Sequence, residues 1–181
     1  MALMQYSIIK TLKDSFNFRD YKDDLMKLEE VAFHPDIREE WEDKLDLLEI
    51  FAICVLLCCA KRHVVGEAYT VDNEGLRNHG TDDDSKHLNE IADMIKSENA
   101  LYLCSLAVLP EYEGQGIATE FMTMLIEDAK HKGYTAIYSH AHEGASAHLH
   151  KKFGGKELLR RENWYSTGAT HILYVINLKG E

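Results

Sequence analysis

The sequence is poor in residues that build special scaffolds. It has 2 prolines among 181 residues, which leaves no polyproline or collagen-like segment. Its four cysteines, Cys54, Cys58, Cys59 and Cys104, include no Cys-x-x-Cys pair, and three of them crowd into one apolar run. That excludes a disulfide framework and a zinc ribbon, and reads as small hydrophobic residues in a reducing compartment. The longest apolar run, 50–60, is about half the roughly 20 residues a membrane span needs. Met1–Tyr6 has neither a basic n-region nor a small-residue cleavage site, so a cytoplasmic protein is expected. Basic residues are also scarce: 20 Lys and Arg face 31 Asp and Glu, for a formal charge of −11. Such a surface is poorly suited to duplex nucleic acid or anionic lipid, so neither partner is expected. It suits a neutral or cationic small substrate better.

What is present reads as one domain, 1–181, of α/β (α+β) class. Tyr6–Lys13 reads as a strand. Asp20 caps a helix with Tyr21, Leu25, Leu28 and Ala32 on one stripe, ended by His34-Pro35. Asp36 caps a second helix with Ile37, Trp41, Leu45 and Leu48 inward. Its Glu39, Glu40, Glu42 and Asp43 read as a solvated face, the alternative being a rim that attracts cations. Ile50–Cys59 and Val64–Val71 form a hairpin about Lys61-Arg62-His63. Residues 72–99 are polar, carry Asp82-Asp83-Asp84, and hold a short amphipathic helix with Leu88, Ile91, Ala92 and Ile95. A stretch this long needs structure or a task of its own. It reads as an insertion, either a plain surface excursion or a lid.

Strict alternation over the strand Leu101–Val108 puts Tyr102, Cys104, Leu106 and Val108 on one face, and Leu101, Leu103, Ser105 and Ala107 on the other. A helix from about Gly116 to Lys132 stops at Gly133. Thr135–His142 is a strand, Ala145–Phe153 a helix ended by Gly154-Gly155, and Glu157–Arg161 and Thr170–Leu178 are the last two strands. The histidines include His140-x-His142 and His148-x-His150. The first pair shares a strand face. The second diverges by roughly 200° around a helix and cannot share one ion, so no metal is expected.

The chemistry concentrates in Leu106–Thr119, where a strand meets a helix start through Gly114-Gln115-Gly116. Backbone N–H groups at a helix start have no intrahelical partner and lie at the positive end of the helix dipole. Glycines let a ligand approach that backbone closely. The combination suits a phosphate or pyrophosphate. No Gly-Lys-Ser/Thr follows, which excludes a Walker A loop, and the third glycine of a dinucleotide fingerprint is missing.

This stretch resembles the acetyl-CoA motif of the GNAT superfamily of N-acetyltransferases. Leu106, Val108, Pro110 and Tyr112 fit its first part, and Gly114, Gly116 and Ala118 its second. Glu113 stands where Gln or Arg is usual. Ser146–Gly155 is similar to the family's second segment through Leu149, Lys152 and Gly154, with His150 in place of a tyrosine, Gly155 in place of a phenylalanine, and Glu143 in place of an upstream asparagine. The order β-α-α-β-β-(insertion)-β-α-β-α-β-β is also similar to that of the family, whose fold is a mixed, mostly antiparallel sheet flanked by helices.

The resemblance implies acetyl transfer from acetyl-CoA to a primary amine, directly within a ternary complex. The implied acceptor is a small-molecule or peptide amine, the acidic charge balance favouring a cationic one, and the family analogy favours a homodimer. The backbone of Leu106, Ala107 and Val108 would pair with the pantetheine arm. The N–H groups from Gly114 through Gln115, Gly116, Ile117 and Ala118 to Thr119 would take the pyrophosphate, with Ser146 and Lys152 nearby. His150 holds the position of the usual acid. Tyr102, Cys104 and Glu67 are the candidates for base, Tyr102 through a water. Trp164 and Tyr165 are candidates to line the acceptor pocket. The departures at Glu113, Glu143, His150 and Gly155 leave open a second reading, a non-catalytic acyl-CoA-binding or regulatory module.

Overall fold

A computed structural model describes residues 5–11, 16–78, 85–163 and 167–179. Strand β1 (Ser7–Thr11) leads through a 3-10 turn at Phe18–Tyr21 to helix α1 (Lys22–Ala32). The stripe Leu25 and Leu28 is fully buried. The second helix differs from expectation. Pro35–Ile37 forms a separate 3-10 turn, and helix α2 starts only at Trp41 (Trp41–Asp46). It then widens into a π turn, Leu47–Phe51, a rare geometry in which the chain takes an extra residue per turn. The following strand, β2 (Ala52–Ala60), therefore starts two residues later than its apolar run, and Ile50 is left 58% exposed.

Lys61 and Arg62 both adopt positive φ (49° and 71°), the geometry that two-residue hairpin turns demand. They fold β2 back onto β3 (His63–Val71). The described parts of the polar stretch that follows are largely helical. It contains α3 (Asn73–Arg77), capped by the Asp72 side chain, and α4 (Ser85–Glu98), which buries Leu88, Ile91, Ala92 and Ile95 in the main core. Asp82, Asp83 and Asp84 lie outside the described residues, as do Trp164 and Tyr165. Next come β4 (Leu101–Val108), α5 (Ile117–His131), β5 (Ala136–His142), α6 (Ala145–Lys152), β6 (Lys156–Arg161) and β7 (His171–Asn177).

The seven strands form one sheet in the order β1-β2-β3-β4-β5-β7-β6. Every neighbouring pair is antiparallel except β4 and β5, which run parallel. The helices divide between the faces. A Cβ on Gly66 would lie 3.3 Å from the Phe121 ring of α5, whereas the next residue, Glu67, bonds to Lys44 of α2. Successive strand residues point to opposite faces, so α5 covers one face and α1 and α2 the other. Helix α6 lies with α5: its Ala147 packs on Ala141, Ile172 and Tyr174, while the intervening His140 and His142 point to the α1–α2 side.

The α1–α2 layer is locked to the sheet by a charge. Lys44, fully buried, donates to Glu29 Oε2 of α1 (2.8 Å) and Glu67 Oε1 of β3 (2.7 Å), and its Nζ sits 5.4 Å from the Tyr69 ring centroid. Burial pulls the Lys44 ammonium down, but Glu67, Glu29 and Glu39 more than offset that and raise it, so it stays charged. Removing one partner of a buried pair strands the other charge in low dielectric. Lys44→Ala is therefore expected to cost about 3–5 kcal/mol, read as a fall in Tm on the order of 10 °C. Combining Lys44→Met with Glu29→Gln and Glu67→Gln should recover much of that loss; a triple variant no more stable than Lys44→Ala would refute the charge-stranding account.

Candidate functional site

Strands β4 and β5 pair at two positions only, Leu101 with Ile137 and Tyr102 with Tyr138. Beyond them the strands part, although β4 stays paired to β3 and β5 to β7. The parting opens a slot flanked by the β4 backbone from Cys104 to Val108. Ladder groups without a strand neighbour need other partners, which makes this edge a template for an extended ligand.

A bulge sits where the strands part. Ser105 lies opposite Tyr69 and Leu103 opposite Thr70, which leaves Cys104 as the extra residue. The bulge changes the facing that strict alternation predicts. Tyr102 is opposite Val71 and Ser105 opposite Tyr69, and Tyr69 and Val71 share a face. Tyr102 and Ser105 therefore point to the same side, not to opposite sides, and both line one cavity with Cys104.

At its far end β4 runs through a 3-10 turn, Pro110–Tyr112, into the glycine turn. Gly114 and Gly116 have φ of +70° and +89°, a region closed to most side chains, and a Cβ on either would meet nothing within 4 Å. Backbone conformation and not crowding thus requires glycine, and open space is left beside the turn. Gly116 is the N-cap of the 15-residue α5 and has no side chain to accept from the first-turn N–H groups. Lys152, from the last turn of α6, donates to Thr119 Oγ1 in that first turn (3.3 Å). The fold thus joins the two motif segments, 106–119 and 146–155, at one helix start and brings a cation there. The chain fits a bound pyrophosphate at this point.

Helix α6 ends in a Schellman turn: Gly155 N–H donates to His150 O (2.9 Å) and Gly154 N–H to Lys151 O (3.0 Å). A Cβ on Gly155 would stand 2.7 Å from the His150 carbonyl oxygen, so this turn has no room for the family's phenylalanine. His150, 3% exposed, stacks on the Tyr174 ring and bonds through Nδ1 to Ser146 O (2.8 Å). A carbonyl only accepts, so Nδ1 carries the hydrogen. Nε2 then presents a lone pair, and it is buried without a partner. Burial, opposed by the Ser146 carbonyl, lowers the His150 pKa. The ring is thus neutral near pH 7. Glu143 pairs with Arg160 of β6 (2.6 Å).

The α1–α2 side holds a cavity of about 370 Å³. Its wall is acidic: Glu29, Glu39, Glu40 and Asp43 all line it. Glu40, Glu42 and Asp43 are exposed, as a solvated face requires, and Glu39, Glu40 and Asp43 also edge the cavity. Tyr69 OH donates to Glu39 Oε2 (3.0 Å), and the Glu39 N–H to Glu29 Oε1 (3.1 Å). Ser105 Oγ donates to Glu67 Oε1 (2.8 Å), the oxygen that also takes Lys44. Glu67 Oε2 is buried with no partner. Burial raises Glu29 and opposes its ionisation, Lys44 notwithstanding, and burial also raises the Cys104 thiol well above its usual value, with Glu39 adding to it. The floor carries Tyr102, His140, His142 and His171. Leu88 of α4 reaches the same cavity, so the polar segment 72–99 supplies part of its wall.

Of the predicted catalytic residues, Tyr102, Cys104 and Glu67, the last bonded to Ser105, gather on the cavity side, while His150 lies across the sheet on the α5–α6 side. Lys44 and Glu29 were not among the expected site residues. The signal was a charged residue on an apolar stripe: Lys44 beside Trp41, Leu45 and Leu48, and Glu29 beside Leu25 and Ala32. Among the described residues, no group of three or more His, Cys, Asp or Glu is placed to hold a metal, and no helix is long and apolar enough to cross a membrane.

The model of the acetyltransferase (GNAT) family matches residues 20–155, and the chain belongs to that family. No curated protein sequence matches it. Solved structures do. The ribosomal-protein-S18-alanine N-acetyltransferase of Escherichia coli aligns at 14% identity over 98% of this chain and 96% of its own, with a TM-score of 0.67. The yncA protein of Salmonella typhimurium, solved with acetyl-CoA, aligns at 14% identity over 97% and 95%, with a TM-score of 0.63. A GNAT-like decarboxylase, GphF, in complex with isobutyryl-CoA aligns at 12% identity over 96% and 100%, with a TM-score of 0.68. These likenesses establish the fold: one domain with a mixed, mostly antiparallel sheet.

The buried histidines make stability depend on pH. Burial, then His142, lowers His171 to about 4, against a carbonyl bond to Ala169; burial and then His34 lower His142. A histidine with a depressed folded pKa takes its proton first in the unfolded chain, so the stability it contributes is complete above about 6.5 and lost on acidification. Tm should fall steadily from pH 6.5 to pH 4, and His171→Asn should flatten that slope. A variant with an unchanged slope would remove His171 from this account.

Proposed function

We propose that the chain is an acetyl-CoA-dependent N-acetyltransferase that acts on a cationic primary amine by direct transfer in a ternary complex. One observation carries the reading: the parted β4 and β5 end at an uncapped, glycine-led helix start. In this reading the backbone of Leu106, Ala107 and Val108 holds the pantetheine arm, and an N–H of that edge faces the thioester oxygen as charge develops there. The N–H groups from Gly114 to Thr119 hold the pyrophosphate, with Lys152 beside them and Ser146 near the arm. Acetyl-CoA supplies the activated acyl group; the protein positions and deprotonates.

The acidic wall of Glu39, Glu40 and Asp43 draws the ammonium in, and Tyr102 takes its proton. Glu67, held by Lys44 and Ser105, fixes the bulge, and Cys104 contributes shape, its thiol being too weak an acid to ionise. His150, neutral with an open Nε2, can only accept there, so in this tautomer it supplies no proton to the sulfur and instead takes an amide N–H of the pantetheine arm. The proton for the departing thiolate then comes from the attacking nitrogen, which carries a surplus one.

Acetyl-CoA at about 100 times its Kd should add roughly 2.7 kcal/mol, a Tm rise of about 5–10 °C at this chain length. Gly116→Val, forced to positive φ, should abolish the rise. Thiol release over a panel of amines should then find a cationic acceptor. No Tm shift at millimolar acetyl-CoA would sink the reading. A shift with no turnover on any amine favours the acyl-CoA-binding module, the reading to which an acceptor-only His150 lends weight.

A further inference from the structure

The floor of the acidic cavity continues into a chain of rings. Tyr102 OH lies 2.6 Å from His140 Nδ1, and His140 Nε2 lies 3.3 Å from His87 Nε2. The His87 and His140 rings meet edge to face with centroids 5.3 Å apart. The chain starts on β4 at the cavity, crosses to β5, and ends on α4 within the segment 72–99, where His87 is 7% exposed.

We propose that His140 and His87 carry the acceptor's proton from Tyr102 out of the cavity, so that segment 72–99 completes the proton path of the reaction. This rests on the acetyltransferase reading above. Both histidines act through Tyr102 and are positioning residues in that sense. The steps balance. The amine ammonium gives a proton to Tyr102 Oη as the hydroxyl gives its own to His140 Nδ1. His140 Nε2–H passes to His87 Nε2, and His87, now an imidazolium, releases a proton through its other nitrogen to solvent. One proton leaves the amine and one reaches water; no charge is stranded on Tyr102. A phenol alone is a poor base near neutral pH, and the two imidazoles let it act as a conduit.

The buried carboxylates beside the cavity each already serve another group, and Glu40 and Asp43 sit at its exposed rim. Glu67 Oε1 serves Lys44 and Ser105, Glu29 serves Lys44 and the Glu39 N–H, and Tyr69 donates to Glu39. Cys104 from β4 is held as the thiol, and His142 from β5 and His171 from β7 are weakened as bases by burial.

The test has two arms. In the ligand-free protein at pH 7, nitrogen NMR of His140, assigned by its loss in His140→Asn, should show Nε2 protonated and Nδ1 as acceptor. Tyr102→Phe should disturb that pattern. An Nδ1–H tautomer would overturn the wiring without any turnover being needed. In the second arm, His140→Asn and His87→Gln are assayed from pH 6 to 9 with each amine the thiol-release panel identifies. For amines protonated at pH 7, kcat/KM should fall roughly 100-fold. The loss should shrink about tenfold per pH unit toward the amine's own pKa, with KM for acetyl-CoA unmoved. A loss that is constant with pH, or one shared by KM for acetyl-CoA, would mark a structural role and overturn the proposal. Absence of any acetyl-CoA thermal shift would instead strike the acetyltransferase reading, whatever the His140 tautomer.

Discussion

Lys44 brings a full positive charge into the interior, and the layer of helices on that side of the sheet is organised around it. Glu29 comes from α1, Glu67 from β3, and Ser105 reaches the same Glu67 oxygen from the bulge of β4. Three further elements, α1, β3 and, through Glu67, β4, are thereby tied to the ammonium on α2. A burial this complete is expensive unless each charge finds partners, so the geometry has little freedom to drift. The cavity above it inherits that rigidity. Its acidic wall is the outward side of the same arrangement, through Glu39, which takes the Tyr69 hydroxyl and gives its N–H to Glu29.

The parting of β4 from β5 gives the sheet two working sides that meet at one gap. On one side lie the glycine turn, Lys152 and His150; on the other lie Tyr102, Ser105 and the acids of α1 and α2. In the proposed function, donor and acceptor approach from opposite faces and meet where Cys104 bulges. The net charge of −11 fits this division. In the proposed function the anionic donor is met by backbone dipoles and one lysine, while carboxylates collect on the other side.

Much of this was legible in the sequence. β4 and the glycine turn were readable because turn chemistry is local: Pro110 ends the strand and Gly116 opens the helix. The helix in 72–99 was visible in the spacing of Leu88, Ile91, Ala92 and Ile95. The start of α2 was not, because Asp36 looks like a helix cap, but Pro35 and Asp36 close only a 3-10 turn. The bulge was invisible, since the extra residue is defined by its neighbour's register and not by its own identity. It reversed the facing of Ser105 relative to Tyr102. The acidic rim was legible only in part: Glu40, Glu42 and Asp43 are solvated, as an amphipathic helix suggests, but that Glu39, Glu40 and Asp43 also edge a cavity depends on strands distant in sequence. His140 stood out only as half of a His-x-His pair, and its true partners, Tyr102 and His87, are 38 and 53 residues away.

The two-sided sheet also shapes how such a protein can change over generations. In the proposed function the donor grip depends on the positive φ angles at Gly114 and Gly116, which leave little room for substitution there. The acceptor wall depends on side chains from α1, α2 and α4, none of which supports the glycine turn. Selection for a different amine can therefore rewrite one side of the molecule and leave the other untouched. Its record would be a mosaic, with a slow clock behind the sheet and a fast one in front.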